Sequence, residues 1–460
     1  MATIAHWARL LKSNTRRCQQ LWMDFLSARD VDAACRAEDH RWRQRLWTPL
    51  ETLWAFLLQV LHPDSSCRQA VAMALGERAA MGLARDASPD PSAYCQARSR
   101  LPCGVVGRCL RAVGERLSRK VAPEHVWCGR RIRLVDGSSC SMPDTPELQE
   151  AFGQPDGQRA GCGFPVATIV ALFCWASGAV LGVAIGAYRD SELRLWRRLW
   201  QLLTAGDVVL ADRFYCTYAD IVGLLSRGCD AVLRLHQRRK VDFRRGKRLG
   251  CNDRLVTWSR PTCSARARGM SIRQWQQLPL RLTVRLIRAN VCLPGFRCRH
   301  LVIATTLLDP VRYPMEKILS LYRDRWIVEL RLRDIKTTLG MDIVRGKSPD
   351  IVRKEIRMHM LAYNLIRCLM WEAAAEHGRS LHRLSFAGTV QRLAAMLPYL
   401  WLYAGTGRAR RLYAMLLRWI AHDILPRRPN RIEPRAVKRR PKQYPLLNKP
   451  RHEMRKALLS

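Results

Sequence analysis

The chain has 460 residues, 48% of them hydrophobic, and a formal net charge of +41. That is ample apolar material for two or three packed domains, and a surface so basic attracts polyanions, nucleic acid above all, without naming an activity. Its 17 cysteines, odd in number, irregularly spaced and without a CxxC pair, exclude a zinc set and read as small buried hydrophobes in a reducing cytosol.

Residues 1–125 read as helical. Apolar residues recur at helical spacing over 7–26 and 48–61, with Pro49 and Pro63 as punctuation, and again over 68–84 and 105–121. Clustered arginines on short helices suit a module that docks DNA ends, of helix-turn-helix type; a plain bundle with a basic surface fits equally well. The start of the chain lacks the order of a signal peptide, with no basic head before an apolar block.

From Val126 the period changes. RIRLVDGSSC predicts a strand ending at Asp136-Gly137-Ser138, followed by a polar loop over 141–163. No charged side chain stands between Arg159 and Arg189, a stretch long enough to span a bilayer. Ser177-Gly178 breaks it, β-branched residues flank the break, and two buried strands joined by a tight turn are expected instead. An amphipathic helix over 191–206 comes next, then a strand over 207–215 with Asp212 near its end. A helix over 216–228 and a strand over 230–236 follow. The pattern predicts a mixed sheet with helices on its faces.

Residues 236–310 read as an insertion of antiparallel strands, at 241–249, 253–260, 278–289 and 299–307, with basic turns. A helix is then expected from Leu321 to Gly340, the glycine being its C-cap. Leu321, Val328, Leu332, Ile335 and Leu339 form its apolar stripe, and Tyr322, Arg325, Glu329 and Lys336 line the stripe beside it. Helices over 351–378, 390–400 and 408–425 follow, then a proline-punctuated basic stretch over 426–456 that is expected to be extended or disordered alone. No internal repeat is visible.

Two-metal phosphoryl transfer needs carboxylates from different elements to hold two Mg²⁺ ions roughly 4 Å apart. Asp136 and Asp212 each follow an apolar strand, where a charge is unusual unless paired or bound to a cation. If those strands are neighbours, both acids share one edge of the sheet, and Glu329 completes the set from its helix. Plainer readings exist for each: Asp136 as a turn residue, Asp212 paired with Arg213 or capping a helix, and Glu329 as a surface partner of Arg325.

The spacing Tyr322-x2-Arg325-x3-Glu329-x6-Lys336, with VDGSS and LADRFY upstream, resembles the signature of bacterial DDE transposases of the insertion-sequence-four family. Residues 52–102 also resemble that family's N-terminal region, so the likeness covers most of the chain. It implies a ribonuclease-H-like catalytic core interrupted by a β-rich insertion, between helical N-terminal and C-terminal regions. The implied domains are a DNA-end-binding domain over 1–125, a core over 126–235 and 311–345 with the insertion at 236–310, helices over 346–425 and a basic tail over 426–460. It implies Mg²⁺, with Mn²⁺ as an alternative, held by Asp136, Asp212 and Glu329. Tyr322, Arg325 and Lys336 would grip the phosphate backbone, and Arg213 and Ser138 would assist near the metals.

The likeness further implies cut-and-paste transposition at terminal inverted repeats through a hairpin. A flipped base would stack on an insertion tryptophan, Trp258 or Trp275. The expected partners are double-stranded DNA and, because two ends must be joined to one target, a second copy held through the C-terminal helices, with the protein expected in the cytoplasm at the nucleoid. His236 and His300 lack partner spacing and read as non-catalytic. The rival readings are a DNA-binding descendant without cleavage, a hydrolytic nuclease without strand transfer, and a membrane protein resting on the uncharged stretch alone.

Overall fold

The computed structural model describes residues 25–62, 64, 66–80, 87–120, 126–236, 238–239, 241–262, 270–290, 300–426 and 447–459. Most of the helix expected over 7–26, together with 427–446 of the basic stretch, lies outside the described residues.

The chain begins with α1 (Ala28–Arg36), α2 (Pro49–Leu61), α3 (Cys67–Ala80), α4 (Ser92–Arg100) and α5 (Cys103–Arg119). Then come β1 (Arg131–Ser141), α6 (Pro146–Phe152), β2 (Val166–Cys174), β3 (Val180–Gly186), α7 (Glu192–Arg198), β4 (Asp207–Ala211), α8 (Tyr218–Leu225) and β5 (Asp230–Arg234). Next are β6 (Lys247–Gly250), β7 (Asp253–Ser259), α9 (Ile272–Gln276), β8 (Arg281–Asn290) and β9 (His300–Thr305). The chain closes with α10 (Met315–Arg323), α11 (Trp326–Arg333), α12 (Pro349–Glu376), α13 (Phe386–Leu402), α14 (Gly407–His422) and α15 (Arg451–Leu459). These elements fall into two compact units: Met1–Val121 with Ser177–Gly182 and Leu332–Pro426, and Ala122–Ala176 with Val183–Arg331 and Arg427–Ser460.

The first unit is helical around α12. That helix is buried on all sides, from Ile351 and Val352 to Ala373 and Ala374, so each polar group it carries needs an internal partner. The Lys354 amine donates to the carbonyls of Arg98 and Ser99, at 3.1 and 2.7 Å. The Asn364 amide brackets Val180, accepting from its N–H and donating to its carbonyl at 2.8 Å each. Gly114 passes so close that an added Cβ would stand 2.3 Å from the Val180 oxygen. Sequence chemistry starts the helices as expected: Thr48 caps α2 ahead of Pro49, and Ser27 with Asp30 forms a capping box on α1.

The second unit carries a nine-stranded sheet in the order β3-β2-β1-β4-β5-β9-β8-β7-β6. β4 runs parallel to β1 and to β5, while β2 pairs antiparallel with β1. The uncharged stretch folds as β2 and β3, with Gly178 between them at φ 79°. Among the described residues no helix is long and apolar enough to cross a membrane. The strands expected over 236–310 do not stand apart. β9 pairs antiparallel with β5, Val232 opposite Thr305, so they extend the same sheet.

Four local expectations need correction. β1 does not end at Ser138 but runs to Ser141, because β2 keeps pairing it out to Val166. The strand expected over 241–249 shrinks to β6. The helix expected from Leu321 to Gly340 is broken: the amides of Asp324, Arg325, Ile327 and Val328 bond three residues back, which tightens the chain between α10 and α11. It then ends in a π-helical turn, Asp334–Thr338, before Gly340 at φ 74°. Finally, the end of the basic stretch is not extended but forms α15, which buries no residue.

Candidate active site

The parallel pairing of β1 with β4 stops at Leu134 opposite Leu210. Asp136 and Asp212 each lie two residues further on, so parallel neighbours carry both acids to the same carboxyl-terminal edge. Their backbones differ. Asp136 remains within β1, opposite Ala171 of β2, and accepts the Gly137 amide at 2.9 Å. Asp212 leaves the sheet and caps a 3-10 turn, Arg213–Tyr215, by accepting the Phe214 amide at 2.8 Å.

Glu329 comes from α11. Arg325, in the tight turn before that helix, donates to its Oε1 at 2.7 Å. Arg325 also hydrogen-bonds the Tyr322 hydroxyl, and Tyr322 is only 7% exposed. Burial pushes the Asp136 carboxyl up from 3.8 to about 7; the nearby Asp212 and Glu329 add to that, while the Gly137 amide and Arg325 oppose it. Burial also raises the Tyr322 hydroxyl, so it stays a donor. For Arg325, burial works to lower its basicity, yet Tyr322, Glu329 and Asp136 more than offset that, and its charge is secure.

Among the described residues no three His, Cys, Asp or Glu side chains stand together as tightly as a bound ion requires. Glu329 is turned to Arg325 instead. The donor chemistry nevertheless fits a hard divalent ion: oxygen ligands only, one of them, Asp136, largely desolvated and raised further by the like charges of Asp212 and Glu329.

The other expected residues are distributed as follows. Arg213 is exposed on the turn after Asp212, and Ser138 lies within β1 opposite Ile169. Lys336 belongs to the first unit, where it pairs with Asp342 at 3.2 Å. Trp258 and Trp275 are buried, at 7% and 5% exposure; the Arg239 guanidinium lies 3.9 Å from the Trp258 ring centroid. Trp275 lines a recess with Arg260, Ile272, Leu280 and Arg281. His300 meets Asn290 at 2.8 Å and His236 accepts the Arg238 amide, neither of them touching the acids.

Sequence reasoning missed three neighbours. Glu192 and Tyr215 sit electrostatically close to Asp212, and Arg234, at the end of β5, acts on Tyr322. Tyr215 was legible in DRFY as an aromatic hydroxyl shortly after an acid. Glu192 looked like an ordinary acid in the first turn of a helix, and nothing local set it apart.

A model of the transposase DDE domain matches residues 127–365, just over half of the chain. The transposase InsG for insertion sequence element IS4, from Escherichia coli strain K12, is 31% identical over 368 residues, covering 77% of this chain and 78% of that protein.

Proposed function

The chain belongs to the insertion-sequence-four family of bacterial DDE transposases, and from that premise we propose how its residues cut and join DNA. It is a DNA transposase, and enzymes of this kind depend on divalent metal ions. In the proposed site Asp136 and Asp212 would hold the ions from the sheet edge and Glu329, now paired with Arg325, would hold them from α11. Two Mg²⁺ ions held there, with Mn²⁺ as substitute, would supply charge stabilisation to the attacking and leaving oxygens.

Arg325, once released, forks onto a backbone phosphate. The Tyr322 hydroxyl adds one hydrogen bond, Lys336 a point charge, and Arg213 an exposed contact with the strand. Water cuts one strand at each transposon end, and the freed 3′-hydroxyl attacks the opposite strand to close a hairpin. A second water hydrolyses the hairpin phosphodiester, leaving a 5′-phosphate and restoring the 3′-hydroxyl, which then attacks a target phosphodiester and displaces a target 3′-oxygen, completing cut-and-paste transfer at the terminal inverted repeats. Trp275 is the better candidate to stack on a flipped base, since it lines a recess with Arg260 and Arg281 while the Trp258 ring is covered by Arg239.

The strand order β3-β2-β1-β4-β5, with acids at its carboxyl edge, supports reading the core as ribonuclease-H-like. On this reading residues 1–125 bind the transposon ends, 236–310 are the insertion, and the enzyme works in the cytoplasm at the nucleoid. Two ends must meet one target, so a homodimer is proposed through the C-terminal helices. Exposed Tyr399 and Leu402 on α13 and Trp419 on α14 support that surface.

The observation that carries the proposal is that parallel β1 and β4 bring Asp136 and Asp212 to one edge of the sheet, while Glu329 and Arg325, from a third segment, lie near enough to act on the Asp136 carboxyl. The test is end cleavage and joining with Mg²⁺, in wild type and in Asp136→Ala, Asp212→Ala and Glu329→Ala. Loss of cleavage with end binding kept is the expected result. Cleavage that survives any of the three substitutions would overturn the assignment, and cutting without a joined product would mark a hydrolytic nuclease.

A further inference from the structure

The pairing of β1 with β4 ends at Leu134 opposite Leu210, so that ladder does not itself fix the distance between Asp136 and Asp212. One carboxylate bridges that gap. Glu192 opens α7, and its Oε1 accepts the hydroxyl of Tyr215, which is 2% exposed. Tyr215 closes the 3-10 turn that Asp212 caps. The same carboxylate lies against the residue after Asp136: a Cβ built on Gly137 would stand 2.2 Å from Glu192 Oε1 and 2.9 Å from Oε2. One turn along α7, Trp196 packs edge-on against the Tyr215 ring, with centroids 6.1 Å apart. α7 therefore grips Tyr215 by hydroxyl and by ring, and touches the Asp136 segment with the carboxylate that holds the hydroxyl.

We propose that Glu192, held by Tyr215, is a positioning residue that sets the spacing of Asp136 and Asp212. This rests on the ion site proposed above. A half-buried acid near Asp212 is unfavourable in itself, and here it is answered by a hydroxyl. Its place makes physical sense as a brace between two segments that must hold cations at a fixed distance. It also explains why glycine follows Asp136, since a side chain there would collide with the brace.

The test uses the full chain and three readouts: Mn²⁺ binding by paramagnetic resonance, thermal unfolding without metal, and end cleavage against Mg²⁺ concentration. Tyr215→Phe removes one oxygen and keeps the ring. It and Glu192→Ala are expected to weaken Mn²⁺ binding by about tenfold and to raise the Mg²⁺ needed for half-maximal cleavage by a similar factor, with cleavage recovering at saturation. Gly137→Ala should weaken ion binding at least as much, and the double variant Gly137→Ala, Glu192→Ala should be no worse than Glu192→Ala alone, because the methyl then has room.

Unchanged Mn²⁺ affinity in Tyr215→Phe and Glu192→Ala overturns the proposal, as do losses that add in the double variant. Lower metal-free stability with wild-type ion affinity would assign the pair to packing alone and also overturn it. A wild type whose Mn²⁺ binding is indifferent to Asp136→Ala would instead sink the ion site, and the brace with it.

Discussion

Arg325 occupies two positions of need at once. It donates to Glu329 and to Tyr322, and it lies near enough to Asp136 to oppose that carboxyl's rise. A planar fork can serve two such acceptors and then a phosphate; a lysine amine offers a point charge with no fixed geometry. Arg325→Lys is therefore expected to slow end cleavage by about tenfold or more while leaving binding of the ends nearly intact. Single-turnover cleavage on end DNA, alongside a binding titration, checks this, and wild-type rates in the lysine variant would remove Arg325 from the reacting phosphate.

At the scale of elements, two contacts make sharp predictions. Asp30 completes the capping box of Ser27 on α1 and also accepts from both terminal guanidinium nitrogens of Arg116 on α5. Burial alone would raise this carboxyl, but Arg116 and Ser27 hold it down at about 2, against an ordinary 3.8. A depressed folded value means the contact stabilises above the ordinary value and is lost as pH falls from 3.8 through about 2. Asp30→Asn should remove that acid-dependent component and lower stability at neutral pH by about 1–2 kcal/mol, read from urea unfolding at several pH values. An identical pH profile in the variant would contradict it. On α12, Asn364→Ala strands both polar groups of Val180 in the core. A loss of about 2–4 kcal/mol is expected by chemical denaturation, and a loss under about 1 kcal/mol would show the bracket to be dispensable.

For the molecule as a whole, charge governs encounter more than choice. Lysine and arginine number 79 against 38 acids, and they are spread along the chain rather than gathered in one tail. Extended contact with phosphates should make DNA affinity collapse with salt, by about 10³-fold or more between roughly 50 and 200 mM. Fluorescence anisotropy with end and unrelated DNA measures this. A shallow dependence would argue that few phosphates are touched, and equal slopes on both DNAs would mean that charge carries attraction while base contacts carry discrimination.

What the sequence determined by itself was everything written within a turn or two of chain. Helical and strand periods, the turn at Ser177-Gly178, the C-cap at Gly340 and the spacing from Tyr322 through Glu329 to Lys336 are of that kind. The acids themselves stood out, because a charge after an apolar strand is locally odd. Only tertiary structure decided which strands lie side by side, and so that Asp136 and Asp212 share one edge. It also decided that β1 runs past Asp136, that the strands after His236 extend the core sheet through β9, and that the helix expected from Leu321 is broken before Trp326. The meeting of Glu192 with Tyr215 and Gly137 belongs to the same class. The reason is physical: period and turn chemistry act between near neighbours. Strand order, register and the touch of distant side chains are settled when long loops close, a choice no local pattern encodes.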